Sequence, residues 1–168
     1  MYRISSLGTC PRALSAARLG HEPLPEPEFL KLAAREGERH EKWVVEDLES
    51  EGWQITDRQK EVKLSYPAFE LIGHVDGLAR RNGEQRLLEI KSMSRFRFAS
   101  FTGAGFARFR EYAFQVTAYH RAVNLPILYV VKDRDSGKRV NLELDTPPMD
   151  WNEVYEAVLG VEIAVRKK

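Results

Sequence analysis

The chain has a single cysteine, Cys10, among its 168 residues. One thiol excludes an internal disulfide framework, and it excludes a zinc site or iron-sulfur cluster held by this chain's thiolates alone. A reducing compartment is the simplest setting, so a cytoplasmic location is expected. No apolar run approaches the roughly 20 residues that cross a bilayer, and the start lacks the charged and apolar blocks of a secretion signal. No membrane association is expected. An excess of one charge is missing too, since 26 Lys and Arg stand against 25 Asp and Glu, a formal net charge of +1. That rules out a generally basic nucleic-acid sponge, and any phosphate-binding surface has to be a local patch. Neither a phosphate-cradling glycine loop nor a nucleophile elbow occurs, which argues against a small-molecule enzyme. There are no internal repeats. What is present, 43% hydrophobic residues at this length, supplies one core, so residues 1–168 are read as a single α/β domain.

The most informative stretch is Gly73, His74, Val75, Asp76 and Gly77 followed by Leu87, Leu88, Glu89, Ile90 and Lys91. Two apolar runs that each end in a carboxylate are joined through Asn82 and Gly83, a strong hairpin signal, and read as adjacent antiparallel strands. Strand alternation points Glu89 and Lys91 to one face and Ile90 to the other, and Asp76 can join the first face. Two carboxylates meeting there repel unless a positive charge lies between them, and a hard divalent cation with oxygen ligands meets that need. Lys91 can then hold a phosphate or help deprotonate a water. A second Glu-x-Lys triplet, Glu61 to Lys63, lacks the partnered hairpin. Alone, such triplets are also ordinary surface ion pairs.

Elsewhere the pattern is coarser. Ser5 or Ser6 can cap a short helix that carries Arg12 and Arg18 and ends near Gly20. Pro23, Pro25 and Pro27 favour an extended connector. Residues 29–50 are helical, with Ala33, Gly37, His40, Val44 and Leu48 on one stripe, so His40 faces inward as either a core residue or a ligand. Gly37 hints at a close approach one turn before it, and Glu38 and Glu41 are expected in solvent. Residues 52–55 and 61–66 are expected as strands that complete a four-stranded antiparallel region, with Glu61 on its solvent-facing edge.

Between Lys91 and Glu111, Arg95, Arg97, Arg108 and Arg110 interleave with Phe96, Phe98, Phe101, Phe106 and Phe109 around residues 102–105. Arginines for phosphates beside aromatics for bases suit a nucleic-acid-facing loop, although core phenylalanines with rim arginines fit the same pattern. A helix over residues 106–123 sets Gln115 and Tyr119 on one face. Strands at residues 126–132 and 139–144 follow, then a helix capped by Asp150 with Val154, Val158, Val161 and Val165 on its inner stripe and Arg166, Lys167 and Lys168 at its end.

At Asp76, Glu89 and Lys91 the chain resembles the PD-(D/E)XK nuclease superfamily, and His40, Gln115 and Tyr119 follow the order of its RecB-like branch. The first motif, Gly73 to Gly77, has no proline before its aspartate. The segment from Ser5 to Arg12 resembles the opening of RecB-like nucleases, some of which place such a cysteine in an iron-sulfur cluster. The three further cysteines of those relatives are absent, so no cluster is expected and Cys10 is read as a small buried residue. The resemblance implies a restriction-endonuclease-like α/β fold whose mixed central sheet is flanked by helices. It implies Mg2+ or Mn2+ held by His40, Asp76, Glu89 and the Ile90 carbonyl, with Lys91 orienting or activating water. Gln115 and Tyr119 would bind substrate, as would Arg12, Arg95, Arg97, Arg108 and Arg110. The implied activity is hydrolysis of DNA phosphodiester bonds, the resemblance extending to CRISPR-associated and phage exonucleases. A loop over residues 95–110 that bridges the site, with phenylalanines to stack on unpaired bases, predicts exonucleolytic cutting that favours single-stranded or frayed ends. An endonuclease on the same fold and a non-catalytic nucleic-acid-binding module are the alternatives.

Overall fold

The computed structural model describes every residue except Pro23, Glu26 and Lys168. Expectations that include Pro23 in the connector and Lys168 at the helix end therefore fall partly outside the described residues. In chain order the elements are β1 (Tyr2–Arg3), α1 (Pro11–Arg18), α2 (Glu28–Ser50), β2 (Gln54–Thr56), β3 (Lys60–Ser65), β4 (Glu70–Val75), β5 (Gly77–Arg81), β6 (Glu84–Met93), α3 (Arg95–Ala104), α4 (Arg110–Val123), β7 (Ile127–Asp133), β8 (Arg139–Leu144) and α5 (Trp151–Arg166). Single 3-10 turns occupy Ile4–Ser6 and Gly105–Ala107. Among the described residues no helix is long and apolar enough to cross a membrane.

The strands form two sheets, β1-β4-β3 and β2-β5-β6-β7-β8. The second is mixed, because β6 runs antiparallel to β5 and parallel to β7. Asn82 and Gly83 both have positive φ, 52° and 86°, which is what a two-residue turn matching strand twist requires, and Arg81 pairs with Glu84 across it. The turn forms as its sequence predicts, but the strand it joins to β6 is β5, and the run from Gly73 to Val75 lies in β4 of the other sheet. The four-stranded antiparallel region does not form. The chain breaks at Asp76 and passes from one sheet to the other, so β3 pairs with β4 while β2 pairs with β5. The β5 ladder on β6 ends at Gly77 opposite Leu88, and beyond it Asp76 Oδ2 accepts the Ile90 N–H at 2.7 Å. A carboxylate therefore satisfies an amide that the missing strand would have left unpaired.

Alternation along β6 divides the core. Leu88 and Ile90 pack with Leu128 and Val130 of β7 against Val44, Val45 and Leu48 of α2, with Trp53 and Ala79 completing that layer. Leu87 and Met93 face the other way, with Ile127, Tyr129 and Val131, towards Val116, Ala118 and Tyr119 of α4. Glu89, on the same parity as Leu87, is carried to the α4 side. On the outer side of this layer, α5 is capped by Asp150, whose Oδ1 accepts the Asn152 N–H at 2.8 Å, and buries Val154, Val158 and Val161. Val165 is half-buried.

Two further expectations are corrected. Cys10 is exposed, because it precedes Pro11 at the start of α1, a helix with no fully buried residue. The stretch from Arg95 to Arg110 is a helix and a 3-10 turn and not a loop. Phe101 and Phe109 are buried, Phe98 and Phe106 pack against the core, and Phe96 alone of the five is exposed, at 79%. Burying four rings removes more apolar surface from water than an exposed aromatic loop could tolerate.

Candidate active site

A cleft of about 910 Å3 opens where the two sheets meet, and it is lined by Asp76, Glu89, Ile90, Lys91, Gln115 and Tyr119. These six come from the β4–β5 crossing, β6 and α4. Glu89 is 1% exposed; its Oε1 takes the Lys91 ammonium at 2.6 Å, while its Oε2 is buried without a hydrogen-bond partner. Asp76 is half-buried, and beside its bond from Ile90 its Oδ1 accepts from Gln59 Nε2 at 3.3 Å.

Burial, and then the negative charge of Glu89, push the Asp76 carboxyl up to about 8, against the pull of Lys91 and the Ile90 N–H. Glu89 is likewise raised by burial, with Lys91 opposing. Burial works against the charge on Lys91, but Glu89 and Asp76 outweigh it and the ammonium is held above its usual range. Tyr119 is pushed up to about 12 by burial and by the charge of Glu89. A Cβ on Gly73 would lie 2.8 Å from Tyr119 Cε1 and 2.9 Å from its hydroxyl oxygen, so only glycine lets that ring reach the cleft.

Two hard carboxylates, one with an orphaned buried oxygen and both shifted upward, are a donor set that fits an oxygen-liking divalent cation completed by water. Among the described residues no group of three His, Cys, Asp or Glu is arranged to hold a metal ion without such help.

No family model matches the chain, and no curated protein does. Solved structures do. An alkaline exonuclease from Laribacter hongkongensis superposes with a TM-score of 0.67 at 14% identity, over 98% of this chain and 87% of that one. The same exonuclease in complex with dAMP gives 0.66 at 15% identity, over 99% and 88%. A protein designated SSO0001 gives 0.67 at 14% identity, over 98% and 75%. The likeness is one of fold. The chain shares the mixed α/β fold of that exonuclease, and in this chain the cleft lies at the junction of the two sheets.

The remaining expected site residues lie elsewhere. His40 is buried but does not line the cleft; its ring meets Trp43 edge-on at 5.0 Å, its Nδ1 has no partner, and burial and then Lys132 lower its pKa. Arg12 lines a separate depression between α1 and α5. Arg97 bonds Glu111 and Tyr112, Arg110 bonds Glu153, and the Arg95 backbone N–H donates to Asp135. Arg108 is exposed beside Phe96. Arg97 alone stays near the chemistry, since its partner Tyr112 has the Lys91 Nζ 5.7 Å from its ring centroid. Gly37 lines the cleft, yet a Cβ there would meet only Ser92 Oγ at 4.0 Å, so no close approach requires it.

Sequence reasoning missed Glu41, which lines the cleft and accepts from Gln59 Nε2 at 3.2 Å and Arg58 at 3.3 Å. Its signal was available, because Glu41 stands one helical turn after Gly37 on the same row. Arg3 and Arg134 also line the cleft and carry no comparable sequence signal.

Proposed function

We propose that this protein is a divalent-metal-dependent deoxyribonuclease of the RecB-like branch of the PD-(D/E)XK superfamily. One observation carries the reading: Lys91, Glu89 and Asp76 converge on a single cleft wall, with a buried carboxylate oxygen left unpaired. Asp76 and Glu89 would hold Mg2+ or Mn2+, with the Ile90 carbonyl. A cation so held supplies Lewis-acid activation of water and of the phosphoryl oxygens. Lys91 holds the scissile phosphate and orients the attacking water, and Gln115 and Tyr119 position the adjoining nucleotide. The likeness to an alkaline exonuclease, and the dAMP held by one of the similar structures, support DNA as substrate and ends as the point of attack.

The absence of a three-ligand group among the described residues favours a second reading, a nucleic-acid-binding module without catalysis. End-labelled single-stranded and duplex DNA, with and without magnesium, separates the two. Magnesium-dependent release of short products that Lys91→Ala abolishes is the expected result, whereas tight binding without cleavage under any divalent ion leaves only the module. A closed single-stranded circle compared with its linear form tests the requirement for an end. Equal cutting of both makes the enzyme an endonuclease.

A further inference from the structure

Two arginines beside the cleft are committed to carboxylates, Arg58 to Glu41 and Arg97 to Glu111, and of the two that line it, Arg3 is exposed. Arg134 is not. It lines the cleft, it is half-buried, and among the described residues its guanidinium has no carboxylate partner. Its backbone is fixed, since its N–H bonds the Met93 carbonyl at 2.8 Å and the turn that carries it is braced by Asp133, which accepts from Asp135 N–H and from the Ser136 hydroxyl. A half-buried guanidinium carried on a fixed backbone, without a counter-charge among the described residues, is a ready anion site.

Farther along α2, whose Gly37 and Glu41 share the cleft wall with Arg134, stands an aromatic that the core does not use. Trp43 on α2 is 49% exposed, its ring is set edge-on by His40, and the Lys132 ammonium stands 5.5 Å from its centroid. Lys132 lies two residues before Arg134, so the strand end that brings Arg134 to the cleft wall shared with Gly37 and Glu41 also brings Lys132 over Trp43 on the same helix. An oriented indole flanked by positive charge suits an unstacked base and its phosphate, and because Lys132 itself pairs with Asp47 at 3.8 Å, the phosphate falls to Arg134.

We propose that Arg134 and Trp43 form a strand-binding strip leading out of the cleft, Arg134 taking a backbone phosphate and Trp43 stacking on an unpaired base. The inference rests on the nuclease reading for its substrate class, and it replaces the phenylalanine-rich stretch, whose rings apart from Phe96 are buried or packed on the core, as the seat of base stacking. It favours single-stranded over duplex nucleic acid, because a paired base offers no free face to the indole.

The test is equilibrium binding of a labelled oligothymidylate and of a blunt duplex, in chelator so that nothing is cleaved, across a salt series. Trp43→Ala should weaken single-strand binding about tenfold and duplex binding far less, and Trp43→Phe should restore most of the loss. Arg134→Gln should lower the slope of log affinity against log salt by about 0.7. Unchanged single-strand affinity in Trp43→Ala together with an unchanged slope in Arg134→Gln would overturn the strip. So would a change in sedimentation mass for Trp43→Ala with oligonucleotide affinity intact, which would make the surface a self-association face. Magnesium-dependent cleavage by the wild-type protein is scored in parallel. The binding pattern without cleavage sinks the nuclease reading and keeps the strip, while cleavage with both variants binding normally does the reverse.

Discussion

Two glutamates, Glu89 and Glu162, are almost equally buried, at 1% and 2% exposure, and they are held in opposite ways. Glu162 on α5 accepts from the Tyr2 hydroxyl at 2.7 Å, from Arg18 Nε at 3.2 Å and from Arg166 Nε at 3.2 Å. Burial pushes its carboxyl up, but these donors outweigh burial and the net shift is downward. The result ties the chain's first strand and α1 to its last helix. Glu89 has one donor, Lys91, and an orphaned oxygen, and its net shift is upward. A fully answered buried carboxylate is a structural clamp, whereas a half-answered one beside a second carboxylate costs stability, which on the proposed reading serves to hold a cation.

The largest effect that would break this contrast is on activity. Glu89→Gln and Asp76→Asn should each lower magnesium-dependent cleavage by at least about a thousandfold, Asp76→Asn with the melting temperature unchanged or raised. Cleavage near the wild-type rate in either variant would reduce Glu89 to a second clamp. Next comes Gly73→Ala, which drives a methyl into Tyr119 and should cost roughly ten- to a hundredfold in cleavage through displacement of that ring. Glu162→Gln should do the converse: full activity, but about 2 kcal/mol less stability in urea, because the amide offers one acceptor oxygen to three donors and no charge to Arg18 and Arg166.

The comparison sharpens with pH, measured on metal-free protein in chelator. A carboxyl whose folded pKa lies above its unfolded value opposes folding once it ionises, so Asp76 weakens the fold fully above about pH 8 and ceases to do so as pH falls towards its unfolded value near 4. Glu162, depressed in the fold, contributes stability above its unfolded pKa and loses it as pH falls through the folded one. Stability should therefore rise from pH 8 towards pH 5 and fall below about pH 4. Asp76→Asn should flatten the first limb and Glu162→Gln the second. Flat behaviour of the wild-type protein from pH 8 to 5 would mean that Asp76 titrates normally.

How much of this was legible follows from the kind of element each residue sits on. Strand parity and a two-residue turn fix direction to within one residue, so Glu89 and Lys91 fell on one face of β6 as alternation requires. Gln115 and Tyr119 reached the same cleft because a four-residue helical spacing is equally rigid. The crossing at Asp76 was invisible, since nothing local says that β4 and β5 belong to different sheets. The stretch from Arg95 to Arg110 misled for a different reason: phenylalanine alternating with arginine has no helical periodicity, and tertiary burial of Phe101 and Phe109 decided its conformation. The network around Glu162 could not be foreseen at all, because it joins residues 160 positions apart.

The smallest effect decides between two neighbours on α2. Residues 40 and 41 point about 100° apart on a helix, so only one of them can face the carboxylate pair. The side that lines the cleft is Glu41, in the row of Gly37, where its charge bears on both Asp76 and Glu89; His40 turns to Trp43 and Lys132. A carboxylate at that distance strengthens the field that draws in a divalent cation without having to touch it. We predict that Glu41→Gln raises the magnesium concentration needed for half-maximal cleavage severalfold with little change at saturation. His40→Gln should leave that concentration where it is and lower thermal stability, since it disturbs a buried ring packed on Trp43. Magnesium titrations of both variants under one buffer make the comparison. A shift for His40→Gln and none for Glu41→Gln would return the histidine to the ligand set and make the carboxylate a spectator.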